Sequence, residues 1–392
     1  MRGNRRLAVV VPLIFSAVVL SCSSRDGPTV PSGPSDPSKQ LTISVDGRLE
    51  RGMVIDVSTM LDGGPVSGAV QWSGSPSNAV EFPAPGKARL KESGTVQIRA
   101  ETGDAAGQLT IQVSAPPVVV FDMRRNGNRD IYRVSLDGRD LTRLTTHALD
   151  DLSPTVAGGT IVFTGYRTFQ VVGETTTATI ADLYSMPLSG GSASRRTATG
   201  DAELDPALSP NGQRLAFTRL AGEPAPKVWV SGANGSNPGR ATPAVGFSGS
   251  TEASPSWAPD NARLVYMSTR DGSANLYILN VAAGTTSPLL ADVFSAYVEP
   301  AWSPDGQWIA FVSNRDGPTN IYRVHVDTRE VERLTNRAEP DGQPAWLPDG
   351  RIVFTSWSGN ETRLRWLDPS EPGKVYDIPL EDGSPQNPAG IF

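Results

Sequence analysis

The sequence predicts an all-β chain: a six-bladed β-propeller closed by its C-terminal strand, preceded by a small β-sandwich. Three observations carry this. A unit of Pro-x-Trp-Ser-Pro-Asp-Gly, an apolar strand ending in an aromatic, an Asp-Gly turn, Ile-Tyr-x-Val and Arg-Leu-Thr recurs along the chain. Its first prolines are Pro154, Pro206, Pro255, Pro300, Pro344 and Pro388, spaced by 44 to 52 residues, the length of one four-stranded blade. Gly (39) and Pro (33) are abundant among 392 residues and no long amphipathic helical pattern occurs, which favours short strands and tight turns. Residues 40–115 lack the repeat but alternate apolar and polar positions, as half-buried strands do.

The N-terminus reads as a targeting segment. Arg2, Arg5 and Arg6 precede the apolar run 7–20, which is short for a membrane-spanning helix. The run ends in Val19-Leu20-Ser21-Cys22, and Cys22 is the single cysteine. This segment resembles a bacterial lipoprotein signal, which implies removal of residues 1–21 and acylation of Cys22. Ser23 follows where that family places Asp for inner-membrane retention, so the resemblance implies the outer membrane. No intrachain disulfide is available to one cysteine. Without residues 1–21 the chain carries 32 basic and 41 acidic residues, a net −9. That balance argues against a nucleic-acid partner, since phosphate binding needs a basic surface.

Residues 22–39 are Ser/Pro/Gly-rich with almost nothing to bury, and are predicted to be a disordered tether. At about 3.1 Å per residue such a segment reaches roughly 50 Å. In residues 40–115 the runs "AVQWSG", "GTVQIRAE" and "GQLTIQVS" read as strands. They resemble a bacterial Ig-like domain of group 2. The resemblance implies an Ig-like β-sandwich with Trp72 as a core anchor, faced by Val96 and Ile98 from the opposite sheet, and a role as a spacer or adhesive module.

"APP" (115–117) marks the boundary to the propeller, residues 116–392. Proline removes a ladder donor, so the Pro154-type strand is expected at a sheet edge, lining the central tunnel. Ser-Pro-Asp-Gly (303–306), Ser-Pro-Asn-Gly (209–212) and Leu-Pro-Asp-Gly (347–350) read as turns. Ser303 is therefore a turn residue and not a nucleophile. Trp257, Trp302 and Trp346, with the Phe and Tyr series, are expected between adjacent blades. The third-strand partner of the strand-ending aromatic is Tyr132, Tyr184, Trp229, Tyr277 and Tyr322, and Leu364 or Trp366 in the last unit. Phe121 precedes any Pro-x-Trp strand and "NPAG" (387–390) has no blade after it, so the C-terminal strand is expected to complete the first blade. These repeats resemble the propeller of TolB, the periplasmic component of the Tol–Pal envelope system. The TolB family has an α/β domain where this chain has a tether and a sandwich, so the resemblance implies the fold and leaves a Tol–Pal role open.

Loop lengths and polar positions locate the candidate site. The second-to-third-strand loop of the second blade (166–184) and the connection into the fourth blade (242–254) are lengthened, and both lie on one face. On that face Asp151, Glu203, Glu252, Tyr297 and Asp341 stand three residues before the inner prolines. Asp205 and Glu299 stand one residue before them, with Ser153, Ser254, Gln343 and Asn387. Positions two apart share a strand face, so a polar collar is expected at the tunnel mouth, suited to a cationic peptide or Ca²⁺. The alternative is solvated polar residues where strands begin. His147 and His325 share no metal-ligand spacing, and no nucleophile elbow, phosphate loop or dinucleotide fingerprint occurs. The sequence thus predicts a monomeric, lipid-anchored envelope scaffold, without catalysis or cofactor, that binds a protein or peptide. A carbohydrate-active or glycan-binding propeller using the collar carboxylates is the rival.

Overall fold

A computed structural model describes residues 41–391 except 67, 104, 171–176 and 244–248. The signal segment 1–21, Cys22, the tether 22–39 and the middles of both lengthened loops lie outside the described residues. The chain divides into two compact units at Pro116–Pro117.

The first unit is two antiparallel sheets. One holds Leu41–Asp46, Val54–Leu61, Gly64–Pro65, Val80–Ala84 and Lys87–Leu90; the other holds Gln71–Ser75, Gly94–Thr102 and Ala105–Val113. Ile55, Val57, Leu90, Val96 and Ile98 are buried between them. The placement of Trp72 needs correcting. Its strand pairs directly with Gly94–Thr102, opposite Ala100, so Val96 and Ile98 belong to its own sheet. Its partner from the other sheet is Phe82, stacked at 5.7 Å.

The second unit is a six-bladed all-β propeller of antiparallel four-stranded sheets. The inner strands of blades 2 to 6 are Asp151–Ala157, Glu203–Leu208, Glu252–Trp257, Tyr297–Trp302 and Asp341–Trp346. Blade 1 takes its inner strand from the C-terminus: Ser384–Gly390 pairs with Val118–Arg125. Each inner strand is a sheet edge and neighbours the next inner strand around the ring. That is where proline's missing donor is tolerated.

The core lies between blades. Trp257 packs with Ala216 and Val228 of blade 3 and with Tyr266 and Tyr277 of blade 4. Trp302 and Trp346 do the same one and two blades on. The indoles of Trp257 and Trp346 also donate to Ala207 O and Ala301 O of the preceding blade, each at 3.0 Å. Each such aromatic buries about 150–250 Å², worth several kcal/mol at about 25 cal/mol/Å² before entropy is counted. Within blades the aromatics pair across strands: Phe121 with Tyr132, Phe163 with Tyr184, Phe311 with Tyr322. In blade 6 the partner of Phe354 is Arg365, not Leu364 or Trp366. Trp366 instead stacks on Tyr376 at 4.1 Å.

The repeated motifs have local explanations. The Ser303 hydroxyl donates to Asp305 Oδ1 at 2.6 Å and accepts from the Trp308 amide at 2.9 Å, while Gly306 takes φ 75°. Ser209 and Asn211 repeat this arrangement. The Thr of Arg-Leu-Thr, or of Arg-Arg-Thr in blade 2, accepts a third-strand amide: Ile131 N–H on Thr145, Leu183 N–H on Thr197, Ile321 N–H on Thr335. Serine and threonine serve turn and strand closure at these positions.

Candidate functional site

The polar positions before each inner proline separate into two sets, because the backbone bends between them. Ser153, Asp205, Ser254, Glu299, Gln343 and Asn387 all have positive φ, between 48° and 54°. At each of them the register to the second strand slips. Such a bulge leaves one residue unpaired and re-aims its neighbours, so strict alternation is lost. A non-glycine residue there costs on the order of 1–3 kcal/mol and persists only where its surroundings hold it.

The expected collar is therefore corrected. Asp151, Glu203, Glu252, Tyr297 and Asp341 are buried, not solvated as a collar at an open mouth requires. Most are tied to the end of the second strand. Asp151 pairs with Arg167 at 2.8 Å, Glu252 with Arg270 at 3.1 Å, and Glu203 lies 3.6 Å from Arg219. Asp341 accepts from the Ser356 hydroxyl. Glu203 also accepts from Thr197 and Thr199. In blade 5 Tyr297 replaces the carboxylate and donates to Asp292 at 3.2 Å. Burial raises the pKa of Asp151, Glu203 and Asp341 even against these partners. These residues tie the inner strands of blades 2 to 6 to neighbouring side chains.

The six residues with positive φ, one before each proline, remain partly exposed and are joined by hydrogen bonds in two runs, Glu299–Gln343–Asn387–Asp122–Ser153 and Asp205–Thr218–Ser254. The Gln343 amide donates to Glu299 Oε2 at 2.6 Å, and the Asn387 amide to Gln343 Oε1 at 2.9 Å. The Ser153 amide donates to Asp122 at 3.0 Å, and the Ser254 amide to Thr218 at 3.2 Å. Asn387 also donates its side-chain amide to Asp122 at 2.7 Å. Asp122 and Thr218 were missed from sequence. The available signal was their place directly after the strand-ending aromatics Phe121 and Phe217.

The carboxylates of these runs differ in their partners. Asp122 is held by Arg129 at 2.5 Å. Asp205 accepts from the Thr218 hydroxyl at 3.3 Å, with no ion-pair partner among the described residues. Burial raises the pKa of both Asp205 and Glu299, and the Asp205 charge raises that of Glu299 further. A carboxyl with a raised folded pKa binds its proton more tightly in the folded state. Its contribution is therefore fully present below the unfolded pKa and lost as pH rises through the folded one. Stability is thus expected to rise as pH falls from neutral toward the ordinary carboxylate range. Asp205→Asn with Glu299→Gln should flatten that rise, since both amides keep an acceptor oxygen. Urea melts at a series of pH values check this, and an unchanged pH slope in the double variant contradicts it.

No three His, Cys, Asp or Glu side chains converge as a metal site among the described residues. Toward the other face the tunnel widens into a cavity of ≈ 320 Å³, lined by the six inner prolines, Pro210, Pro259, Pro304 and the rims of Trp257, Trp302 and Trp346. The hydroxyls facing it are already used: Thr155 accepts from Leu208 N–H and Ser256 from Trp302 N–H.

On the insertion-bearing face, blade 2 stands apart. Its second and third strands, Thr160–Gln170 and Thr177–Pro187, stay paired out to Gln170 and Thr177. The corresponding strands in blade 3 end at Arg219 and Lys227.

A family model, the TolB β-propeller domain, matches residues 203–374, within blades 3 to 6. The curated TolB homolog of Chlorobium luteolum is 27% identical over 250 residues, covering 54% of this chain and 56% of that protein. The chain thus spans about half the length of the curated relative it matches. Among solved structures, the putative TolB of Agrobacterium tumefaciens superposes with a TM-score of 0.54 at 21% identity, over 69% of this chain and 90% of that one. TolB from Acinetobacter baumannii gives 0.57 at 17%, over 82% of each. The second unit resembles the TolB β-propeller in fold.

Proposed function

We propose that this TolB-like propeller is a non-catalytic scaffold of the cell envelope that docks a protein or peptide partner on its insertion-bearing face. One observation carries the reading: the blade 2 hairpin runs past the other blades on that face, paired to Gln170–Thr177. Insertions confined to one side of a repeat protein mark its binding side. The resemblance to TolB, an envelope protein, supports the compartment. The lipoprotein-like segment ending at Cys22 supplies the anchor, and the Ig-like sandwich with residues 22–39 acts as a spacer from the membrane, taken as the outer one.

The test compares three versions of the full chain in the cells that make it. Wild type is extracted from membranes with its partner. Replacing Thr168–Thr179 by an Asn-Gly turn should remove the partner while leaving the unfolding midpoint unchanged. Cys22→Ser should shift the protein out of the membrane fraction. Unchanged partner recovery after hairpin truncation refutes the docking face, and unchanged membrane association of the serine variant refutes the anchor.

A further inference from the structure

The hairpin-bearing face carries a second feature that no resemblance supplies. The connection into blade 5, Ala291–Ala296, leaves Phe294 93% exposed and Val293 69% exposed. Leu220, 45% exposed, lies on the same face in the blade 3 loop. These three are the large exposed hydrophobics of the propeller among the described residues. A fully exposed phenylalanine has no role in the packing of its own chain.

The loop holding it is pinned from both sides. Asp292 accepts from the Phe294 amide at 2.9 Å and from the Ser295 hydroxyl at 3.0 Å. The Tyr297 hydroxyl donates to the same carboxylate. Toward blade 4, the Asp292 amide donates to Asn275 Oδ1 at 3.0 Å, and the Ser273 hydroxyl to the Asp292 carbonyl. Toward blade 5, the Ala296 amide donates to Asn314 Oδ1 at 3.0 Å. The aromatic ring is thus presented in a fixed turn, and pre-organisation lowers the entropy lost on binding.

Charge indicates what the ring fits. The flanking loops carry Asp271 and Asp316, and the turn carries Asp292; among the described residues the exposed cations beside these three carboxylates are Arg315 and Arg333, the latter over the Tyr322 ring. Amide and hydroxyl donors hold Asp292 below the usual carboxylate range, so it stays ionised at neutral pH. An anionic lipid surface would be repelled by this rim. We propose that Phe294 is an anchor that enters an apolar pocket of a protein partner, with lysine or arginine side chains at the pocket rim meeting Asp271, Asp292 and Asp316. Exposed aromatics in a complementary charged rim form the centres of binding hot spots. The inference rests on the docking face proposed above.

The experiment places p-benzoylphenylalanine at position 294, at Phe169 in the hairpin, and at Asp305 on the opposite face, each in the full chain in its own cells. Illumination at 294 should cross-link one protein, at residues mapping to an apolar pocket bordered by Lys or Arg, and position 305 should not. With that protein purified, Phe294→Ala should weaken binding about 30-fold, as loss of a hot-spot aromatic does, and Phe294→Trp should retain it. Lipid-only adducts from 294, a flat or acidic contact site, or unchanged affinity of the alanine variant overturns the proposal. Cross-links from 169 but none from 294 remove the anchor and leave the docking face standing. None from either position removes both.

Discussion

Replacing Gly390 with valine is expected to open the propeller ring. A Cβ at residue 390 would lie 2.0 Å from the carbonyl oxygen of Trp346 and 3.3 Å from the Cα of Leu347. Those atoms are backbone of blade 6, so the clash cannot be relieved by turning a side chain. The strand containing Gly390 is the inner strand of blade 1, and the rest of that blade comes from the other end of the unit. Displacing it also removes the Asn387 donor from Asp122 and the Ser384 carbonyl from Arg129. Overpacking alone costs about 1–3 kcal/mol, and the lost closure adds to it. Urea unfolding should show a loss of at least about 3 kcal/mol, in the range that marks a specific structural lesion. A loss under about 1 kcal/mol would mean that the C-terminal strand does not close the ring as described.

Arg270→Met is the second large effect. Arg270 is buried, donates to Glu252 at 3.1 Å and to Ser268 at 3.0 Å, and lies over the Tyr277 ring at 4.3 Å. Glu252 is completely buried, and its Oε2 has no hydrogen-bond partner. Removing the cation leaves a buried carboxylate uncompensated, which costs about 3–5 kcal/mol. Adding Glu252→Gln should return much of that, because the charge and not the packing carries the penalty. If the single variant unfolds at the same denaturant concentration as wild type, the clamp assigned to Glu252 is wrong.

The reach of sequence reasoning can be judged residue by residue. Ser303, Asp305 and Gly306 were legible as a turn because each residue type has one local job there. Pro300 and its equivalents were legible as an inner edge because a missing N–H has few tolerable places. The inter-blade tryptophans followed from their place in the repeat. The collar was misread because period-two alternation was carried through a position where the backbone turns left-handed. Nothing in Asp-Leu-Ser-Pro or Tyr-Val-Glu-Pro announces a φ near +50°, since serine, glutamate and glutamine are poor predictors of that conformation. Trp72 was assigned to the wrong pairing because alternation gives the face of a strand and not its neighbour. Asp122 and Thr218 act through partners in the next blade, at sequence separations that no local pattern encodes. Phe294 sits in a loop of six residues, where one apolar side chain carries no periodicity to read.

The sequence by itself determined the repeat, the number of blades, the turn chemistry and the closing strand, because each is written in local steric and hydrogen-bonding requirements that recur. Only the tertiary structure decided which carboxylates are buried clamps, which sit at the left-handed bend before an inner proline, and which aromatic is left to solvent. Those outcomes depend on contacts between blades and on the bulge that re-aims each inner strand, and neither is a property of any one stretch of chain.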